Sequence, residues 1–400
     1  SSVYLLPYLK YVFYDAMIET TGFTNAQLGY MITIYTITAS ISNLFTGYFA
    51  DRFDAKKQLL ISGYVHALLT FIYPFFIRNY GMTLFIWGAT GITSTLLFWA
   101  PMFKAVRMLG PSEEQGSLYG IFEACTGISG LIGNFGAIYV FSRFASGRSA
   151  LIGVIMFYGI VTLIGSVIIN VMYKPDVSAA TGAGDSQETN EKLSVLELLS
   201  VVKLPQVWLM GIMVFGIYGA YSIGSYLTPY CTAVLGFGAV FASVFGTIRS
   251  YGFRFMAPLG GKLADKYKSQ MKVITLSTLV MTIALAIITL IYHVTSMALL
   301  IFILIFIFCF FHSWARGLYF SPMDEMRIPI EKCGMAITCI SVLGITGPDL
   351  FLPALCGTWL DNYGNAAYRY IFMVLTGLGL LSLISCILLL AIKKKQQAAD

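Results

Sequence analysis

Residues 371–392 read IFMVLTGLGLLSLISCILLLAI, and Lys393, Lys394 and Lys395 follow directly. At a rise of about 1.5 Å per residue this uncharged run, helically wound, extends for roughly 33 Å, which matches a hydrocarbon slab about 30 Å thick. Outer-membrane barrel strands alternate in polarity over only about ten residues, so the run specifies a membrane helix. The whole chain agrees with it. Its 400 residues are 58% hydrophobic and 11% charged, whereas soluble domains carry about 25% charged residues. At roughly 33 residues per crossing and loop, there is room for about twelve spans.

Apolar runs place those spans near 1–18, 25–50, 57–77, 82–106, 116–142 and 149–173, then 206–230, 238–260, 272–292, 297–321, 334–358 and 366–392. Between the two sets the polar stretch from Lys174 to Lys192, with Thr181, Gly182, Gly184, Asp185 and Ser186, has linker composition. The expected fold is therefore an all-α membrane protein of twelve transmembrane helices in two six-helix, pseudo-symmetric halves. The first bundle covers 1–173, a linker 174–204, the second bundle 205–392 and a tail 393–400. The chain opens at Ser1 inside an apolar run without Met or a basic leader, so the first helix is expected to be truncated here.

Of the 25 Lys and Arg, 17 fall in one set of loops, span edges and the tail, and 4 (Arg78, Arg143, Arg148, Arg369) in the opposite set. The asymmetry predicts a multi-pass protein of an inner or plasma membrane with both termini cytoplasmic. It also accounts for the net charge of +6 without a nucleic-acid partner. The seven cysteines lack metal or redox spacing and read as small core residues, so no metal or cofactor is expected. A G-x-x-x-x-G-K-[ST] phosphate loop and an H-E-x-x-H helix are both missing from the sequence, so it is not read as an enzyme.

The chain repeats itself. Gly47-Tyr-Phe-Ala-Asp51-Arg52 recurs as Gly261-Lys-Leu-Ala-Asp265-Lys266, Phe98-Trp99-Ala100 as Ser313-Trp314-Ala315, and Glu113-Glu-Gln-Gly116 as Glu331-Lys-Cys-Gly334, in the same order. Twelve spans, a central linker and a G-x-x-x-D-[RK] loop after spans two and eight resemble the major facilitator superfamily of secondary transporters. Asp54 and Lys268 stand where the family pattern carries Gly, and Thr24-Asn-Ala-Gln27 is similar to its usual start of span two. The resemblance implies alternating access of two halves, with Gly47, Asp51, Arg52, Asp265 and Lys266 forming gate latches; Arg254 is read with them. Span one, Tyr4-Leu-Leu-Pro7-Tyr8-Leu-Lys10-Tyr11, resembles the organophosphate/phosphate antiporter and organic anion symporter branches. Those branches also carry an arginine in span seven, where this chain reads Tyr218-Gly219-Ala220-Tyr221. The drug-exporter pattern, a basic residue in span four and Gly-Pro in span five, is missing.

Charges deep in a bilayer cost about 2.5–3.5 kcal/mol on insertion scales and face protein or water. Helical rise places Lys10, Arg249 and Asp349 roughly 12 to 17 Å from the nearer span end, beyond easy reach of water. Arg254, Glu123 and Arg316 count as only about 7 to 10 Å deep, as gate or structural pairs. Lys10 and Arg249 are assigned to opposite halves, where an anion bridging them draws the halves together. Asp349, after Gly347-Pro348, and Glu123 are the candidate proton carriers. Tyr14, Tyr218, Tyr221, Trp99, Trp314 and Asn134 complete the candidate substrate site. The expected partners are a small anionic substrate, protons or a counter-anion, and the lipid bilayer, with the chain monomeric. The expected activity is secondary transport of a carboxylate, phosphate ester or sulfonate, by proton symport or anion exchange. Two alternatives stand beside it: a neutral sugar or nucleoside transporter, and a sensor on the same fold that does not transport.

Overall fold

The computed structural model describes residues 2–99, 101–102, 105, 115–144, 147–173, 203–323, 325–328 and 333–398. Among them all regular structure is helical. In chain order the helices are α1 (Tyr14–Thr21), α2 (Asn25–Arg52), α3 (Ala55–Ile72), α4 (Tyr80–Ser94), α5 (Gln115–Ser142) and α6 (Gly147–Met172). They continue with α7 (Pro205–Ile223), α8 (Leu227–Ala233), α9 (Ala239–Ser250), α10 (Ala257–Tyr267) and α11 (Gln270–Ile291). The last are α12 (Ala298–Leu318), α13 (Cys333–Ser341), α14 (Gly347–Tyr363) and α15 (Ala367–Ala398). Eight helical segments among the described residues are long and apolar enough to cross a membrane. The expected linker, apart from Lys203 and Leu204, lies outside the described residues, as do Glu113 and Glu331 of the third repeat match.

The chain packs as two compact units, Ser1–Asn190 with Gly238–Gly252, and Glu191–Phe237 with Phe253–Asp400. In the first, α2 packs on α4 and α3 on α6; in the second, α10 packs on α12 and α11 on α15. This recurrence is the packing counterpart of the offset between Gly47 and Gly261. Apolar side chains face outward, with Phe75 at 79% and Leu290 at 76% exposure, the inverse of a water-soluble surface. Small polar groups knit the interior instead. Tyr35 Oη and Ser94 Oγ lie 3.0 Å apart between α2 and α4, and Ser382 Oγ donates to the Met213 carbonyl at 2.9 Å between α15 and α7. At Gly216 a Cβ would stand 2.3 Å from the Leu378 carbonyl oxygen, so the α7–α15 contact requires glycine there.

Helix ends follow local chemistry. Thr24 and Gln27 form the capping box that opens α2, and Gly22, at φ 73°, closes α1. Asp54, at the position where the family pattern has Gly, caps α3 by accepting the Lys57 N–H at 2.8 Å. Lys268 ends α10 in the left-handed region at φ 48°.

Three spans depart from the straight helices expected of them. Residues 2–13 contain two 3-10 turns, Ser2–Tyr4 and Leu9–Tyr11, before α1 begins. Pro7 between them brings no N–H, and its carbonyl accepts the Trp87 indole N–H at 3.1 Å. The eighth span breaks at Tyr251 into α9, a 3-10 turn Gly252–Met256 and α10, whose first turn holds Pro258. The eleventh carries a π turn, Val342–Thr346, just ahead of Pro348.

At one end of the second unit, Glu325 ties three segments together. Its carboxylate accepts from Ser269 Oγ at 2.8 Å, from the Gln270 backbone N–H, and from Lys393 Nζ at 2.6 Å. Burial alone would raise this carboxyl, but those hydrogen bonds and the Lys393 charge outweigh it and hold it below the usual carboxylate range. A depressed carboxyl stabilises fully above the unfolded value of about 4.3 and ceases to do so as acid titrates it through its lower folded value. Glu325→Gln is therefore expected to lower the unfolding temperature in detergent at pH 7, corresponding to about 1.5–3 kcal/mol. Its deficit relative to wild type shrinks as pH falls below the carboxylate range.

Candidate functional site

In the first unit two cations meet one ring. Lys10 is 1% exposed and sits in the turn Leu9–Tyr11, while Arg249 is 7% exposed and ends α9. Lys10 Nζ lies 5.9 Å and Arg249 Cζ 5.7 Å from the centre of the Tyr11 ring. Charges of one sign converge there through packing: α9 lies against α5 and against the Leu9–Tyr11 turn. At Gly130 of α5 a Cβ would fall 2.4 Å from the Tyr251 ring, so glycine lets the broken end of α9 approach. This differs from the sequence assignment, which put Lys10 and Arg249 in opposite halves. Because the break at Tyr251 separates α9 from α10, residues 238–252 pack with the first unit and both cations belong to it.

Other candidates of that unit hold protein contacts. Asn134 Oδ1 accepts the Tyr158 hydroxyl at 2.7 Å, and its amide donates to the Gly130 carbonyl at 2.8 Å. Tyr14 donates its hydroxyl to Asn25 Oδ1 at 2.7 Å, joining α1 to the start of α2. Trp99, half exposed at the end of a π turn, Thr95–Trp99, meets Tyr4 edge-on at 6.5 Å. Gly47, Asp51, Arg52 and Glu123 fall on α2 and α5, but their side chains lie outside the described ones.

The second unit gathers a separate polar set on α7, α12 and α14. Asp349, 5% exposed, accepts the Tyr218 hydroxyl at 3.0 Å and the Ser222 hydroxyl at a shorter distance. The π turn precedes it; there the Gly347 N–H reaches back to the Val342 carbonyl. The extra residue in that turn re-aims the carboxylate, an arrangement often found at functional positions. Tyr221 stacks on His312 at 6.1 Å, and His312 Nε2 lies 2.9 Å from the Ile217 carbonyl. The Arg316 guanidinium stands 4.0 Å above the Tyr221 ring. Phe308, His312 and Arg316, each four residues from the next, form one stripe of α12 facing α7. That spacing was the available signal for a stripe the sequence reading left out of the substrate site.

Trp314 projects elsewhere, between Phe310 and Phe311 with ring centroids 5.0 and 5.3 Å away, above Gly260 of α10. It therefore packs α10 on α12. Arg254, Asp265 and Lys266 are all exposed on the 3-10 turn and on α10. Among the described residues no His, Cys, Asp and Glu cluster suits a metal ion.

The Major Facilitator Superfamily pattern matches residues 5–327. The inner membrane protein YqcE of Escherichia coli (strain K12) is 30% identical over 402 residues, covering 98% of this chain and 92% of that protein. The inner membrane protein YihN of the same organism is 28% identical over 382 residues, 94% and 89% of the two chains. Among solved structures, a bacterial homolog of the human lysosomal transporter Spinster superimposes with a TM-score of 0.72 at 12% identity, covering 98% of this chain and 95% of that one. A D-xylose-proton symporter gives 0.69 at 16% identity, covering 97% and 95%. The nucleoside transporter NupG gives 0.67 at 11% identity, covering 98% of each. At these identities the structures share the fold.

The Asn134–Tyr158 pair tests how the first unit is held. Tyr158→Phe leaves a buried amide oxygen without that donor and is expected to destabilise by about 1–3 kcal/mol, read as a lower unfolding temperature in detergent. A variant melting with wild type would show that the hydrogen bond adds nothing.

Proposed function

The chain belongs to the major facilitator superfamily, multi-pass membrane transporters that work by alternating access of two six-helix halves, and from that premise we propose that its cargo is a small organic anion. The observation that carries this reading is the convergence of Lys10 and Arg249 on the Tyr11 ring in the interior of the first unit. Two like charges held within 6 Å of one ring centre repel each other, and the repulsion is strong where water is excluded. An oxyanion between them turns that repulsion into attraction. Arg249 presents a planar fork suited to carboxylate, phosphate or sulfonate oxygens, and Lys10 a compact charge.

Asp349 is the coupling group in this reading. Its carboxylate accepts two hydroxyls, and a proton taken up there on one side and released on the other ties anion flow to the proton gradient. With Asp349 permanently charged, the same site performs anion exchange. Asp51, Arg52, Asp265, Lys266 and Arg254 are the groups proposed to make and break contacts as the halves alternate. The excess of Lys and Arg in one set of loops supports a cytoplasmic position for both termini.

Thermal unfolding of the purified chain with glucuronate, glucose 6-phosphate, isethionate, xylose and uridine tests the proposal. At about 100 times its dissociation constant a ligand stabilises by about 2.7 kcal/mol. At least one anion is expected to raise the unfolding temperature, and Lys10→Gln to abolish that rise. A response to xylose or uridine alone, retained in Lys10→Gln, would replace the anion reading with a neutral-solute one.

A further inference from the structure

Helices α11 and α15, packed together in the second unit, turn matched apolar stripes outward. Along α11 the exposed residues are Lys272, Leu276, Leu279, Ile283, Ile287 and Leu290, spaced by three and four so that they run down one face. Along α15 the row Leu380, Ile384, Ile387, Ala391 and Lys394 keeps the same rhythm, and Lys395 continues a second row through Leu381 and Leu388. Each stripe stops on lysine. The two helices run antiparallel in a fixed register. Thr289 Oγ1 lies 3.0 Å from Thr376 Oγ1, Thr278 Oγ1 4.0 Å from Cys386 Sγ, and Lys393 Nζ 3.3 Å from Ser269 Oγ. That register sets Lys272 level with Ala391 and Lys268 level with Lys395. The four exposed lysines Lys268, Lys272, Lys394 and Lys395 therefore gather at one end of the pair, within about 6 Å along the helix axes.

Protein carboxylates do not account for them. Glu325 is committed to Lys393 at 2.6 Å, to Ser269 Oγ and to the Gln270 N–H. Asp265 of α10 stands between Lys262 and Lys266 on its own helix. Lys268, Lys272, Lys394 and Lys395 make no ion pair among the described residues. Lys394 and Lys395 suit the C-terminal end of α15, where the helix dipole favours cations. Lys272 does not: it lies in the first turn of α11, where the dipole favours an anion. A cation kept there against the dipole, beside the lysines of the neighbouring helix, calls for a negative ligand from outside the protein.

That ligand has to suit both parts of the surface, with negative charge at the lysines and apolar length along the stripes. The 22 residues of α11 extend about 33 Å, the thickness of the hydrocarbon slab. A nucleic acid or an acidic peptide would use the lysines and leave the stripes uncovered. A phospholipid uses both, its phosphate at the lysines and its acyl chains along the leucines and isoleucines. Tyr267, 54% exposed just before Lys268, is an aromatic of the kind that settles at headgroup level.

We propose that this end of the α11–α15 face is a binding site for an anionic phospholipid. Lys268, Lys272, Lys394 and Lys395 hold its headgroup, and its chains lie on the two stripes. The site selects net negative headgroups over zwitterionic ones, because the ammonium group of a zwitterion is repelled by the same lysines. It is independent of which solute is transported.

Native mass spectrometry of the delipidated full-length chain tests this, with dioleoyl phosphatidylglycerol and dioleoyl phosphatidylcholine titrated separately so that only the headgroup differs. Wild type is expected to bind the first phosphatidylglycerol at least fivefold more tightly than phosphatidylcholine, and Lys272→Gln with Lys394→Gln to bring the two lipids to within twofold. The charge-matched control, Lys56→Gln with Lys57→Gln in the first turn of α3, is expected to keep the preference. Equal affinities in wild type, a preference that survives Lys272→Gln with Lys394→Gln, or its equal loss in the control would each overturn the site. Should that pair of substitutions not fold, lysine acetylation of wild type with peptide mass spectrometry takes its place. Phosphatidylglycerol should then protect Lys272 and Lys394 where phosphatidylcholine does not, and equal labelling in the two lipids would overturn the site.

Discussion

Hydrocarbon offers no hydrogen bond to a backbone amide, so every residue of this chain at membrane depth must satisfy its N–H and C=O within the protein. Long helices such as α6 and α15 are the direct answer to that demand. The places where the helices give way are then the informative ones, because interrupted backbone at membrane depth persists only against protein or a watery cavity. Lys10 sits in a 3-10 turn, Arg249 two residues before the break at Tyr251, and Asp349 three residues after a π turn. Each deep charge named as a candidate from the sequence therefore falls at or beside an interruption. The coincidence links fold to function: the same departures from α geometry that cost backbone hydrogen bonds set the direction of the charges.

Packing gives these charges their surroundings. Gly130 admits the Tyr251 ring, which brings α9 and its Arg249 to the turn that holds Lys10. In the second unit the α7–α12 contact puts His312 against Ile217 and Arg316 over Tyr221, while the α14 carboxylate takes hydroxyls from Tyr218 and Ser222. A single face of α7 thus serves a cation, an imidazole and a carboxylate.

Much of this was legible in the amino-acid sequence, because membrane insertion depends on composition over about twenty residues and not on detail. The run from Ile371 to Ile392, the paired Gly47 and Gly261 loops and the Thr24–Gln27 cap all report directly on local chemistry. The environment of Lys10 was not legible: counting at 3.6 residues per turn assumes a helix that Pro7 interrupts. Arg249 was given to the second half because nothing local announces that a span will break at Tyr251 and leave its first part packed on α5. Arg316 was judged shallow because a rise per residue locates Cα atoms, whereas a long side chain places its charge several ångströms away. Glu325 drew no notice, since an acidic residue between spans is ordinary until its contacts with Ser269, Gln270 and Lys393 are seen.

The central claim is that this chain carries an anion across the membrane, and counterflow tests it without knowledge of the driving ion. Proteoliposomes containing the purified chain are loaded with an excess of one unlabelled solute and diluted into a trace of the same solute in labelled form, for glucuronate, glucose 6-phosphate, isethionate, xylose and uridine in turn. The account predicts transient accumulation of label with at least one of the three anions and none with xylose or uridine. Accumulation of xylose or uridine with all three anions silent would contradict it.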